Sequence, residues 1–177
     1  IARILAFSRR EPATGLTPLR LHAVFHEACE MLRALLPATM TLEVRSDPAV
    51  PAAAIDVVER EQVLLNRAVN ARDARGQHGR LALHLTEADL IGEACASCGD
   101  ILEGHYVEIA CGDDGPGIPD GAGVAALQRG KRLDESAEGT GLGLSIVTSV
   151  VDAHGGTVFA ANAAGGGAAL GFTLPTI

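Results

Sequence analysis

Asp113-Asp114-Gly115-Pro116-Gly117-Ile118-Pro119 is the stretch that decides how this chain is read. A carboxylate stands directly ahead of a turn built from small residues, and glycine, having no Cβ, lets backbone come close to a ligand. About twenty residues on, Gly139-Thr140-Gly141-Leu142-Gly143-Leu144-Ser145-Ile146-Val147 ends a polar stretch. It runs into an apolar helical pattern of Leu142, Leu144, Ile146, Val147, Val150 and Val151. Helix N-termini favour negative charge. The first segment therefore suits a hydrogen-bond donor such as an adenine amino group, and the second suits a phosphate.

Other glycine-rich nucleotide motifs fit less well. A dinucleotide fingerprint needs G-x-G-x-x-G directly after a buried strand, whereas the spacing here is G-x-G-x-G and the preceding Arg129 to Glu138 is charged. A P-loop needs Lys followed by Ser or Thr after its last glycine, and Leu144-Ser145 stands there instead.

A third element lies upstream, over Glu61 to Ala74. Val63, Leu64, Ala68, Ala71 and Ala74 recur at helical spacing, with Asp56 as N-cap and Gly76 as stop. Asn66 and Asn70 are four residues apart and share one face of that helix. Asparagine is a mediocre helix former, and its amide oxygen can ligate Mg²⁺, which accepts oxygen ligands beside substrate phosphates. A solvated helix face is the alternative reading of the pair.

Together these elements resemble the asparagine box and the two glycine boxes of the catalytic ATP-binding domain of sensor histidine kinases, hybrid-type, in the wider gyrase, chaperone, kinase and mismatch-repair ATPase superfamily. The end of the chain fits too: Gly155-Gly156-Thr157-Val158-Phe159, Gly165-Gly166-Gly167 and Phe172-Thr173-Leu174-Pro175 look like that family's closing hairpin. The opening Ile1 to Arg10 is similar to the tail of its dimerisation helix. The resemblance implies an α+β fold, a two-layer α/β sandwich of the Bergerat type, with a mixed, mainly antiparallel sheet covered by helices on one face. It divides the chain into 1–18, helix end and linker, and 19–177, the ATP-binding domain.

The resemblance also implies roles. Asp113 accepts from the adenine amino group, and Gly115 and Gly117 shape the turn beside the base. Asn70 ligates Mg²⁺, with Asn66 supporting the phosphate side and Asp73 in the same box. Gly139, Gly141 and Gly143 bring amides to the phosphates, with Thr140, Leu142 and Leu144 between them. Arg129, Lys131 and Arg132 belong to an Arg-Gly-x-Arg-like lid whose cations reach the γ-phosphate; Asn66, Asn70, Arg129 and Arg132 form the catalytic set. Mg²⁺ and ATP are the implied cofactors. The implied partners are the protein's own dimerisation and phosphoacceptor helices, a response regulator receiver domain and a second copy in a homodimer.

Some residues refine or qualify this. Water-activating members of the superfamily carry Glu where Asn66 stands, and an amide is no general base near neutral pH, which favours phosphoryl transfer to histidine over rapid hydrolysis. Arg67 sits where an apolar residue is usual, the Phe-containing segment common between the glycine boxes is missing, and Ala168 stands where Thr is common. The 121–138 segment reads as a polar lid poor in apolar anchors. His26-Glu27 has only the first two residues of a phosphoacceptor motif, on an apolar-striped helix (Leu21, Val24, Phe25, Ala28, Met31, Leu32, Leu35) spanning Leu19 to Leu36. The acceptor histidine is therefore expected elsewhere.

At 177 residues and 47% apolar content, one domain with a leader is expected. A formal charge of −8 argues against a nucleic-acid surface, which needs clustered cations. No apolar run approaches the ~20 residues of a membrane span, so a cytoplasmic domain without membrane contact is expected, with any anchor upstream. Strands are expected over Thr39–Arg45, Arg80–Thr86, Tyr106–Ala110, Thr157–Ala161 and Leu170–Leu174. Cys95-Ala96-Ser97-Cys98-Gly99 resembles a metal knuckle, but a structural zinc site usually takes four ligands, so reduced loop cysteines stand beside metal or redox roles. Two functions remain open: a kinase module, or a non-catalytic module that binds nucleotide or docks a helix.

Overall fold

The computed structural model describes residues 18–54, 78–95, 99–119, 122–123, 127, 143–163 and 165–177. The opening segment 1–10 and the 61–74 helix lie outside these residues. The elements are β1 (Pro18–Leu19), α1 (Leu21–Leu35), β2 (Met40–Ser46), β3 (Ala53–Ala54), β4 (Gly79–Ala94), β5 (Ile101–Asp113), α2 (Gly143–Ala153), β6 (Thr157–Asn162) and β7 (Ala168–Pro175).

Five strands form one sheet in the order β2-β4-β5-β7-β6. β2 runs parallel to β4, and the remaining pairs are antiparallel. This is the mixed, mainly antiparallel sheet expected. Side chains alternate across a strand, so Leu81, Leu83 and Leu85 of β4 share a face with Val107, Ile109 and Cys111 of β5. Phe172 and Leu174 of β7 and Val158 of β6 continue that face, and all are buried. Leu21, Phe25, Ala28, Cys29 and Leu32 of α1 and Val147, Val150 and Val151 of α2 join them in a single core. Both described helices therefore cover the same face.

Two sequence expectations are revised, and one element is added to them. The stripe of α1 is rotated: Cys29 is buried, while Met31 and Leu35 are 39% and 53% exposed. β4 and β5 are far longer than their apolar alternation marks. Only residues 79–85 of β4 pair with β2, and only residues 106–112 of β5 pair with β7. The rest of the two strands pair with each other alone, down to Ala94↔Ile101, as a projecting two-stranded arm with an irregularity between Ile91 and Glu93. The ribbon β1–β3, Pro18↔Ala54 and Leu19↔Ala53, has too few residues to show any period. It is seated against the end of β7, where Ala53 bridges Thr176 and the Thr176 amide donates to the His105 carbonyl at 3.1 Å.

α2 ends in a Schellman turn. The Gly156 amide donates to the Val151 carbonyl and the Gly155 amide to the Asp152 carbonyl, both at 3.0 Å. The chain then reverses directly into β6. A helix of this length rises about 16 Å, close to the roughly 20 Å of β6, and α2 packs on β6 and β7. The N-terminus of α2 thus lies at the same end of the layer as Asn162.

Candidate nucleotide site

The site is built at the end of the central strand. β5 alternates Val107, Ile109, Cys111 and Asp113 onto the helix-covered face, so the same period that buries three apolar side chains delivers a half-buried carboxylate last. Register places it opposite Leu81. The Gly115 amide donates to Asp113 Oδ1 at 2.7 Å, an Asx-type turn, and the Ala168 amide donates to the same oxygen at 3.2 Å. Next to it, the Arg80 amide donates to Asp114 Oδ1 at 2.9 Å and ties the first glycine box to the start of β4.

Two contacts explain why this corner needs glycine. Gly117 has φ +80°, and a Cβ there would fall 2.7 Å from Asn162 Oδ1. Gly167 has φ +86°, and its Cβ would fall 1.8 Å from the Asp113 carbonyl oxygen. The β6–β7 hairpin therefore lies directly on the strand end bearing the carboxylate, closed by the Ala163 amide donating to the Gly167 carbonyl at 2.9 Å.

Asn162 was missed in the sequence. Its Oδ1 accepts from the Ile118 amide at 2.6 Å and its Nδ2 donates to the Ile118 carbonyl at 2.9 Å. One side-chain amide thus pairs with both main-chain groups of one residue, as a neighbouring strand would, and fixes the turn after Gly117. The only available signal was an amide residue at a strand end before the Gly165-Gly166-Gly167 run.

The structure therefore brings Asp113, Gly115 and Gly117 together with Asn162, Gly167 and Ala168. Ala168, which stands where Thr is common, meets the carboxylate through its main-chain amide. Gly143 opens α2, and Leu144 follows within it. By the reversal at Gly155-Gly156, that helix N-terminus faces the same edge as Asn162. Leu127 is buried in the core and a Cβ on Gly123 would press on the Ala160 carbonyl at 2.7 Å. Of the 121–138 segment only residues 122, 123 and 127 are described, and Leu127 is its apolar anchor among them. Asn66, Arg67, Asn70, Asp73, Arg129, Lys131, Arg132, Gly139, Thr140, Gly141, Leu142 and Cys98 lie outside the described residues. His26 is exposed on α1, its Nε2 2.8 Å from Ser46 Oγ. Among the described residues, no group of His, Cys, Asp and Glu could hold a metal ion, and no helix is long and apolar enough to cross a membrane.

A family model described as "Histidine kinase-, DNA gyrase B-, and HSP90-like ATPase" matches residues 55–177. The chain belongs to this ATPase family. The ATPase-family domain is 30% identical to Sensor kinase CckA of Brucella abortus (strain 2308) over all of this chain and 19% of that protein. It is 32% identical to Sensor histidine kinase ZraS of Klebsiella oxytoca over 77% of this chain and 26% of that one. It spans about a fifth to a quarter of these curated relatives. Among solved structures, the mycobacterial sensor histidine kinase MprB matches with TM-score 0.68 and 26% identity, covering 91% of this chain and 97% of that one. Full-length ShkA in complex with AMPPNP shares the fold, with TM-score 0.73 and 22% identity over 98% of this chain and 34% of that one.

Proposed function

We propose that this chain is the ATP-binding catalytic part of a protein-histidine kinase. It holds Mg-ATP and donates the γ-phosphoryl group to a histidine on a dimerisation helix, with a receiver domain as the next acceptor and a homodimer as the working assembly. Residues 19–177 would form the catalytic domain and 1–18 the end of the helix and its linker. The observation that carries the reading is the Asp113 carboxylate at the strand end. Among the described residues both of its hydrogen bonds land on Oδ1, which supports Oδ2 as the acceptor offered to the base. An adenine presents an amino donor to it; guanine presents a carbonyl, which a carboxylate repels.

In this reading the chain's own groups divide the work. Asp113 selects the base, and the Asn162-braced turn at Gly117 keeps its edge in place. The N-terminus of α2 at Gly143, with Gly139 and Gly141 ahead of it, places amides and a helix dipole near phosphate charge. Asn70 would ligate Mg²⁺, which neutralises phosphate charge when bound. Arg129, Lys131 and Arg132 would offset charge developing on the transferred group. Asn66 positions and does not deprotonate water, so transfer outruns hydrolysis.

The second reading, a nucleotide-binding docking module without transfer, is favoured by Ala168, which stands where Thr is common and offers the carboxylate its main-chain amide without a side-chain hydroxyl. Calorimetric titration with ATP, ADP and GTP tests the base assignment: ATP binds and GTP does not, and Asp113→Ala abolishes the preference. Equal affinity for GTP refutes the site. Supplying the upstream acceptor helix in trans then separates the readings, because only the kinase labels it on histidine.

A further inference from the structure

The arm of β4 and β5 plays no part in the nucleotide site, and it carries an unfinished sheet edge. β2 pairs with β4 only as far as Ser46↔Leu85, where the Asp47 amide donates to the Leu85 carbonyl at 3.1 Å. The main-chain groups of Leu85 therefore face the β2 side. Such groups alternate between the two edges of a strand, so the N–H and C=O of Glu87, Asp89 and Ile91 face that side as well. No strand among the described residues pairs with β4 there. Gly92, at φ +69°, and the irregularity between Ile91 and Glu93 end the straight run. The edge is held in place from behind: Val107, His105 and Glu103 of β5 stand opposite its three residues. On the other face of the arm Leu90 and Tyr106, diagonal neighbours across the ladder, are 8% and 7% exposed.

The side chains of Glu87, Asp89 and Ile91 lie on one face, two residues apart. Asp89 Oδ1 meets His105 Nδ1 at 2.6 Å, which holds that carboxylate against the ladder. Every formally charged side chain from Glu87 to Glu103 is acidic, and no Lys or Arg occurs between Arg80 and Arg129. Charge blunts sheet edges, and like charges set opposite each other repel, so Glu87 and Asp89 turn away a second copy of the same edge. A guard of this kind has no use for Ile91, 85% exposed beside them. An added strand does: open main-chain groups give it affinity, and alternate side chains give it specificity. Basic residues complement Glu87 and Asp89, and a large apolar residue complements Ile91. We infer that this edge of β4 takes up an extended segment of a partner protein in which two basic residues and one large apolar residue alternate with small polar ones. The segment would continue the line of β2 along the arm, at the opposite end of β5 from Asp113. The inference does not rest on the phosphotransfer reading.

The probe is a capped synthetic peptide in which Arg, Arg and Ile alternate with Thr, titrated into the intact 177-residue chain and followed by hydrogen exchange. It binds saturably at micromolar concentration. The amides of Glu87, Asp89 and Ile91 slow at least about tenfold, while those of Ala88 and Leu90, already in the β4–β5 ladder, do not change. N-methylation of the peptide amides that face the edge abolishes binding. Glu87→Arg with Asp89→Arg weakens binding at least about tenfold and favours the same peptide with Glu in place of Arg. Absence of saturation at millimolar peptide overturns the inference. Binding that survives N-methylation, or is unchanged in the double variant, overturns it as charge attraction without strand addition. Slow exchange at the three edge amides before peptide is added, lost on dilution, overturns it in favour of a second copy.

Discussion

Asn162 offers the sharpest test of how the first glycine box is held. Its amide makes two hydrogen bonds to Ile118, at 2.6 and 2.9 Å. Each is worth about 0.5–1.5 kcal/mol net, so Asn162→Ala should cost about 1–3 kcal/mol. Gly117→Ala should cost more, about 2–5 kcal/mol: roughly 1–2 kcal/mol for a side chain at φ +80°, plus eviction of Asn162 by a Cβ only 2.7 Å from its Oδ1. The two losses overlap, because both break the same brace. The double variant should therefore fall short of the sum by about 1–3 kcal/mol, a coupling typical of residues in contact. Urea denaturation of the four proteins measures the cycle, and calorimetry with ATP follows the turn, whose loosening should weaken binding by about tenfold for each 1.4 kcal/mol transmitted. Additive costs, or an Asn162→Ala protein with unchanged stability and ATP affinity, would refute the brace.

Gly167→Ala should be among the most damaging single changes in the hairpin, because its Cβ would sit 1.8 Å from the Asp113 carbonyl oxygen and backbone cannot yield cheaply; a loss of at least about 3 kcal/mol in urea melts is expected. Burial pushes the Cys29 thiol up from 9.0 to about 11, partly offset by Arg33 and increased by Glu30. The folded state holds that proton more tightly than the unfolded chain, so its contribution to stability is full below pH 9 and is lost as pH rises towards 11. Cys29→Ala should flatten that alkaline decline in melting temperature. Burial also raises the Glu108 carboxyl, with His84 opposing and Glu93 reinforcing the shift. Its favourable contribution exists at acid pH and is lost as pH rises through its folded value, so Glu108→Gln should raise the urea midpoint at pH 7 and leave it little changed at pH 4.

The core strands were legible because each carries its own period-two pattern. Leu81, Leu83 and Leu85 announce β4, and Val107 and Ile109 announce β5. The arm was not, since Glu87-Ala88-Asp89-Leu90-Ile91-Gly92-Glu93 has no alternation of its own and is held extended by its partner strand. The α1 stripe was misplaced at its edges because Met31 and Leu35 satisfy a helical period yet lie outside the core of the described residues. Asp113, Gly115 and Gly117 could be read from local spacing, as their turn is made by consecutive residues. Asn162 acts on Ile118 from 44 residues away; only tertiary structure makes that pairing visible.

The carboxylate proposed to read the base is completed by an amide 55 residues further on, at the first position of the last strand. Synthesis proceeds from the N-terminus, at roughly 5–20 residues per second, so β5 is made well before the strand that finishes its end. A nascent chain lacking β7 would have Asp113 and its turn but neither the Ala168 amide nor the Gly167 contact that seats the hairpin. Nucleotide can then reward only a finished sheet. ATP abundant in the surrounding medium would act as a late ligand that locks a completed domain, and would give no foothold to chains halted short of β7.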